Sequence, residues 1–130
     1  MRETEKIWMN GELVDWADAK FHVGSHALHY GSGVFEGIRA YETPRGTAVF
    51  RLRDHLQRLD DSARLLYMEL PYTVDELRAA SLELIGVNGL PECYLRPIAF
   101  STTVYPRSDA ICFTLSRVIP GRIPVARSGV

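Results

Sequence analysis

The 130-residue sequence contains only two cysteines, Cys93 and Cys112, and they do not form a CxxC motif. This excludes a disulfide framework and gives no basis for a zinc site. No apolar run approaches the roughly 20 residues of a membrane-spanning helix, and the first residues lack the apolar stretch of a signal peptide. We therefore expect a cytoplasmic protein that does not contact the membrane.

Positive charge is not in excess, and lysine is scarce. Fifteen basic and sixteen acidic side chains give a formal net charge of -1, which argues against a nucleic-acid-binding surface. Thirteen of the fifteen basic residues are arginines, so Lys6 and Lys20 are the two lysines of the chain. Any chemistry that needs a lysine amine is restricted to these two residues.

The apolar content of 46% and the chain length suit one ordinary domain. Asn10-Gly11 lies between two short apolar runs and predicts a β-hairpin with a type I′ turn. Further strands are predicted over 33–41, 47–51, 92–101 and 109–116, and the residues between the first hairpin and position 33 are predicted to form a loop. The short spacing of the first strands indicates antiparallel pairing.

Two helices are predicted between these strands. Apolar residues recur at i, i+4, i+7, i+11 and i+14 from Leu52 and predict a helix that ends near Met68. Thr73-Val74-Asp75-Glu76 is a capping-box sequence and predicts a second helix over 73–87. We expect an α+β domain over 1–116, with both main helices on one face of an antiparallel sheet, followed by a tail or linker over 117–130.

Arg58 lies on the predicted first helix, and two interpretations of it stay open. Asp54 and Asp61 are about one turn away on either side, so the three residues can form a solvated ion-pair ladder. Alternatively, the guanidinium is a bidentate ligand for a phosphate group, which a lysine ammonium does not match.

Tyr94 and Arg96 lie two residues apart in a predicted strand, so both project from the same face of the sheet. Together they make either a carboxylate receptor or an ordinary amphipathic surface. Pro97 follows them and predicts an edge strand or a bulge, since proline cannot donate to a sheet ladder. The histidines at 22, 26 and 29 have no neighbouring carboxylate or thiol to complete a ligand set, so we predict no metal site.

Five motifs occur in order between residues 6 and 100. They are Ile7-Trp8-Met9-Asn10-Gly11, His26-Ala27-Leu28-His29-Tyr30-Gly31, Val34-Phe35-Glu36-Gly37-Ile38-Arg39-Ala40-Tyr41, His55-Leu56-Gln57-Arg58-Leu59 and Tyr94-Leu95-Arg96-Pro97. Together they resemble the N-terminal domain of branched-chain amino acid aminotransferases, which are pyridoxal phosphate enzymes of fold type IV. D-amino acid transaminases and aminodeoxychorismate lyases share this fold and are the alternatives within it.

The resemblance implies a transaminase that exchanges leucine, isoleucine or valine with 2-oxoglutarate. It implies that Arg58 binds the phosphate of pyridoxal 5'-phosphate. Phe35 is expected to line the apolar side-chain pocket, and Tyr30 to close the same pocket of the neighbouring subunit in a homodimer. Tyr94 is expected to bind the α-carboxylate of the substrate, and Arg96 the distal carboxylate of glutamate.

The resemblance also implies that a lysine in a larger C-terminal domain holds the cofactor as a Schiff base. Neither Lys6 nor Lys20 matches that lysine, and the sequence contains no such domain. We therefore predict no catalytic residue in this chain, weak or absent cofactor binding, and no activity of the chain alone. It would act as a homo-oligomer or with a separate catalytic chain. The alternative is a non-enzymatic binding module or a truncated remnant.

Overall fold

The first hairpin forms as Asn10-Gly11 predicts, in a computed structural model that describes residues 4–102 and 109–117. Strands β1 (Lys6–Met9) and β2 (Glu12–Asp15) pair antiparallel. The φ angles of Asn10 and Gly11 are 50° and 95°, as a type I′ turn requires. The backbone N–H of Asn10 donates to the Ile111 carbonyl, and the Asn10 side-chain oxygen accepts from the Ile111 N–H, each at 3.0 Å. The turn is thus fixed to a distant strand.

The five further strands are β3 (Gly33–Phe35), β4 (Ile38–Thr43), β5 (Gly46–Val49), β6 (Cys93–Ser101) and β7 (Asp109–Arg117). The described strands form one antiparallel sheet in the order β2-β1-β7-β6-β4-β5, and β3 also pairs with β6. A two-residue turn joins β4 to β5. The α+β fold with an antiparallel sheet is confirmed.

A short helix, α1 (His26–Tyr30), precedes two long helices. These are α2 (Leu52–Leu65) and α3 (Val74–Val87), and they confirm both helix predictions. Helix α2 ends before Met68 because Tyr67 adopts a left-handed φ of 57°, and the Met68 N–H donates back to the Ala63 carbonyl. Thr73 and Glu76 form the predicted capping box at the start of α3.

Three details differ from the sequence predictions. The expected loop before position 33 contains α1 and a 3-10 helix, Trp16–Asp18. The predicted strand over 33–41 is interrupted at Glu36 and Gly37, although Phe35 still pairs with Ile98 and β4 continues in the same register. The interruption lies opposite Pro97, which accepts from the Glu36 N–H at 3.1 Å but has no N–H to return. Pro97 lies in the central strand β6, so the edge-strand prediction is wrong.

The core lies between one face of the sheet and helices α2 and α3. In β7, Ile111 and Phe113 are fully buried, while the side chain of Leu115 lies outside the described part of the structure. Cys93 is a buried free thiol, and burial raises its pKa to about 11, so it acts as a small apolar core residue at neutral pH. The side chain of Cys112 is likewise not described.

The predicted tail begins at Arg117, which ends β7, and its residues 118–130 lie outside the described residues. Within the two described ranges, no helix has both the length and the apolar character needed to cross a membrane.

Candidate functional site

The candidate site lies around a short segment of the sheet, which consists of Phe35, Glu36 and Gly37. Successive side chains of a strand point to opposite faces of the sheet. Glu36 therefore faces the helices, whereas Phe35 and Gly37 belong to the open face. β5 pairs with β4 only over Ala40–Thr43, so among the described residues no strand covers this stretch on the side away from β6. The stretch is an edge of the sheet, with polar groups on both of its faces.

On the helix side, Glu36 holds the guanidinium of Arg58. Arg58 Nε donates to Glu36 Oε1 at 2.6 Å, and Arg58 Nη2 donates to Oε2 at 2.7 Å. His55, one turn earlier on α2, donates from Nδ1 to Oε2 at 2.9 Å. The Glu36 side chain is 7% exposed and that of Arg58 is 66% exposed. A buried carboxylate thus fixes one edge of an exposed guanidinium, and the remaining donors of the guanidinium are available for an anion.

The ladder interpretation of Arg58 is wrong. Asp54 pairs with Arg51 at 2.5 Å, and Asp61 accepts from Gln57 at 3.1 Å. Arg58 instead pairs with Glu36, which is 22 positions away in the sequence. The spacing of charged residues within α2 therefore does not identify the partner of Arg58.

We expect Glu36 to stabilise the fold at neutral pH and to lose this contribution in acid. Arg58 lowers the pKa of the Glu36 carboxyl by hydrogen bonding, burial opposes this, and His55 lowers it further. The contribution is present above the ordinary glutamate pKa of about 4.3 and is lost as pH falls through the lower folded pKa. Glu36→Gln should reduce the free energy of unfolding in urea by about 1–2 kcal/mol at neutral pH.

The same difference should shrink as the pH is lowered into the acid range, because the wild-type carboxyl is protonated in both states only below its lowered folded pKa. Glu83→Gln is the matched control because Glu83 is an exposed residue of α3. It should change the unfolding free energy little at either pH. A destabilisation by Glu36→Gln that is equal at both pH values would contradict the ionic role of Glu36.

On the open face, Arg96 lies between two aromatic rings. Its guanidinium carbon is 4.5 Å from the centroid of Phe35 and 5.2 Å from that of Tyr94. Arg96 Nη2 also donates to the Tyr94 hydroxyl at 3.1 Å. The structure therefore brings together three of the predicted site residues, with an apolar ring directly against a fixed cation.

Three buried polar atoms on this face have no hydrogen-bond partner among the described residues. They are Arg39 Nε, Arg96 Nε and Thr114 Oγ1. Arg96 and Thr114 are directly opposite each other in the β6–β7 ladder, so their side chains share the open face beside the two rings. Leaving buried polar groups unpaired costs about 1–3 kcal/mol each, which a polar ligand bound at Arg96 and Thr114 would offset.

Tyr30 lies apart from this cluster. It is on α1, is 72% exposed, and packs against His26 with ring centroids 4.5 Å apart. No described contact joins it to Phe35, Tyr94 or Arg96. Phe35 also lines an apolar groove beneath α1, together with Phe21, Leu28, Val34, Ile98 and Phe100.

The histidines make local hydrogen bonds. His26 Nδ1 is 2.5 Å from Ser32 Oγ, His29 Nε2 is 3.0 Å from the Val23 carbonyl, and His22 Nδ1 accepts from the Gly24 N–H. Over 4–102 and 109–117, no group of three or more histidine, cysteine, aspartate or glutamate side chains is placed to hold a metal ion.

Sequence analysis did not identify Glu36 or Gly37 as site residues. The signal for Glu36 was present, because it has the same strand parity as Ile38 and Ala40, whose side chains are fully buried. A carboxylate at a core-facing position needs a charged partner, and α2 carries arginines. At Gly37 the constraint comes from the Tyr94 side chain of another strand, and a single sequence does not identify that partner.

Known proteins match both this sequence and this fold. A sequence model described as Amino-transferase class IV matches residues 33–124. The branched-chain-amino-acid aminotransferase of Pseudomonas aeruginosa is 53% identical over 94 residues, which are 72% of this chain and 31% of that protein. The chain thus spans about a third of the length of the curated relatives it matches.

Solved structures of branched-chain amino acid aminotransferases superpose closely on the chain. The Escherichia coli structure gives a TM-score of 0.86 at 41% identity, covering 89% of this chain and 40% of that one. The Thermoproteus uzoniensis structure with norvaline gives 0.84 at 38% identity, covering 89% and 41%. A third such structure, complexed with N-(5'-phosphopyridoxyl)-L-glutamate, gives 0.87 at 41% identity, covering 91% and 42%. Sequence and fold agree, and this chain belongs to the class IV aminotransferase family.

Proposed function

We propose that the chain is the substrate-recognising N-terminal region of a pyridoxal 5'-phosphate-dependent branched-chain-amino-acid aminotransferase. The observation that carries this proposal is the Arg58 guanidinium, which buried Glu36 holds along one edge. Its Nη1 makes no hydrogen bond among the described residues and the side chain is 66% exposed, so these donors are accessible to a ligand. This donor set fits a phosphate group, which guanidinium binds with two parallel hydrogen bonds.

The residues present therefore fit the cofactor at its phosphate end. The cofactor, when bound, supplies the electron sink for amino-group transfer. Arg58 would hold its phosphate, and Glu36 with His55 would keep the guanidinium in one orientation. One of the similar aminotransferases was solved with a phosphopyridoxyl derivative of glutamate, which supports this assignment.

The open face supports the substrate class. Phe35 presents an apolar ring, and Arg96 presents a cation 4.5 Å from it. We propose that Phe35 contacts a branched side chain, while Arg96 binds the distal carboxylate of an acidic substrate in the same place. Tyr94 is proposed to bind the α-carboxylate. One site can then accept both an apolar and an acidic amino acid, together with their 2-oxo acids.

We propose that Tyr30 acts in a homodimer. Its exposed ring lies on α1, away from the cluster of its own chain, which suits a contact with the pocket of a second subunit. The apolar groove beneath α1 would add to such an interface.

Arg58→Ala should weaken phosphate binding by at least about tenfold, because a charge-assisted bidentate contact contributes about 1.5–3 kcal/mol. The probe is pyridoxine 5'-phosphate, which has the phosphate but no aldehyde to react with surface amines. Binding to the 130-residue chain is followed by the ³¹P chemical shift of the probe. Millimolar affinity is expected, since little of the ligand is enclosed.

Arg64→Ala is the matched control. Arg64 is also an exposed arginine of α2 and is paired with an acid, Asp60, at 2.8 Å. Its removal should leave the affinity unchanged, and Arg58→Lys should restore only part of the loss. Equal effects of Arg58→Ala and Arg64→Ala would show that the probe senses general positive charge, and the assignment of Arg58 would fail.

A further inference from the structure

Gly37 makes an unusually close approach to Tyr94. A Cβ atom built on Gly37 would lie 2.0 Å from the Tyr94 hydroxyl oxygen and 3.0 Å from Cζ. Gly37 does not have a positive φ, so its backbone conformation is open to other residues. Glycine is therefore required at this position because there is no room for a side chain, and not because of the backbone conformation.

The ladder explains why this contact forms. Tyr94 is directly opposite Arg39 in the β4–β6 pairing, and Gly37 is two residues before Arg39 on the same face. Diagonal neighbours in an antiparallel pair are within reach of an aromatic side chain. The Tyr94 ring leans along this diagonal, and its hydroxyl occupies the volume that a side chain at Gly37 would take.

The hydroxyl in turn orients Arg96, whose Nη2 donates to it at 3.1 Å. The same guanidinium packs against the rings of Phe35 and Tyr94, so these three contacts fix its plane. A shift of the Tyr94 ring moves both a hydrogen-bond acceptor and an aromatic neighbour of Arg96.

We propose that Gly37 is a positioning residue for carboxylate recognition. Because Gly37 has no side chain, the Tyr94 hydroxyl can lie over the strand at this position. The hydroxyl in turn orients the Arg96 guanidinium to bind a distal carboxylate. This inference rests on the proposed function for its ligand, but the positioning of Arg96 is measurable without any ligand.

The test compares Gly37→Ala with Gly86→Ala in the 130-residue chain. Gly86 is the control because it also lacks a positive φ, and an added Cβ there has no atom within 4 Å. The first measurement is the ¹⁵N–¹H signal of the Arg96 Nε–Hε group, assigned by its loss in Arg96→Lys. Gly37→Ala should shift this signal as Tyr94→Phe does, and Gly86→Ala should leave it in place.

The second measurement is the affinity for glutarate, a dicarboxylate probe, followed by the same spectra. Gly37→Ala should weaken binding at least fivefold, and Gly86→Ala should not change it. A purely structural role would lower the urea midpoint without moving the Arg96 signal or the affinity, and that result would overturn the proposal.

A double-mutant comparison tests the cause of the effect. In the Tyr94→Phe background the atom at 2.0 Å is absent, so Gly37→Ala should lower the urea midpoint much less than in the wild type. An equal loss in both backgrounds would overturn the proposed contact. If the wild-type chain binds no glutarate, the proposed function of Arg96 fails, while the Arg96 signal still decides whether Gly37 positions it.

Discussion

Assayed as the 130-residue chain, the protein is expected to form no glutamate from leucine and 2-oxoglutarate. This prediction rests on the proposed function, in which amino-group transfer needs a lysine amine at the cofactor to move protons and to exchange with the substrate amine. A typical enzyme turns over about 1 to 10³ times per second. An overnight assay would therefore detect even a small fraction of this rate, and we expect no detectable glutamate from the chain.

The positions of the two lysines give the physical reason. Lys6 Nζ is bound to Asp15 at 2.6 Å, and this partner raises the pKa of Lys6, which keeps the amine protonated and unreactive. Lys6 lies on β1, and β7 separates this strand from β6, which carries Tyr94 and Arg96. Lys20 Nζ is 3.9 Å from Asp18 and belongs to the exposed segment before α1. Neither amine contacts the cluster.

The assay follows leucine-dependent glutamate formation with pyridoxal 5'-phosphate present. Arg58→Ala is the control for a contaminating host enzyme, because contamination gives the same rate in both preparations. Glutamate formation by the wild-type chain that Arg58→Ala abolishes would overturn the prediction. A second test would then substitute Lys6 and Lys20 separately to identify the amine.

Local sequence signals predicted most of the fold because the interactions behind them are local. The Asn10-Gly11 turn, the Thr73–Glu76 capping box and the apolar stripe from Leu52 each depend on residues within a few positions of one another. The period of two in a strand likewise placed Tyr94 and Arg96 on one face. These features follow from backbone geometry and need no knowledge of the partner strands.

The features that were missed depend on contacts between distant segments. Glu36 binds Arg58 across 22 positions, and Gly37 is constrained by Tyr94 across 57. Pro97 fits a central strand only because the ladder opposite it is interrupted at Glu36. A single sequence does not give strand order, so it cannot show which residues face each other. The candidate cluster around Arg96 therefore gains its geometry from the part of the fold that is hardest to predict.

The core and the open face lie on the two faces of the strand pair β6–β7. Phe113 belongs to this pair and lies on the core side. Phe113 is fully buried on the helix side, stacks on Trp8 with ring centroids 4.9 Å apart, and pairs with Pro97 across the ladder. Its neighbour Thr114 lies opposite Arg96 on the open face. Packing at Phe113 therefore supports the register on which the cluster of Tyr94 and Arg96 depends.

Phe113→Ala should destabilise the chain by about 3–5 kcal/mol, since it removes a large buried ring and leaves a cavity that the sheet cannot close. A small domain is stable by only about 5–15 kcal/mol, so much of the stability is lost. The measurement is urea denaturation followed by circular dichroism. Phe50→Ala is the matched control: Phe50 is 71% exposed and should change the unfolding free energy by less than about 0.5 kcal/mol. If both variants unfold at the same urea concentration as the wild type, Phe113 does not pack in the core as the structure places it.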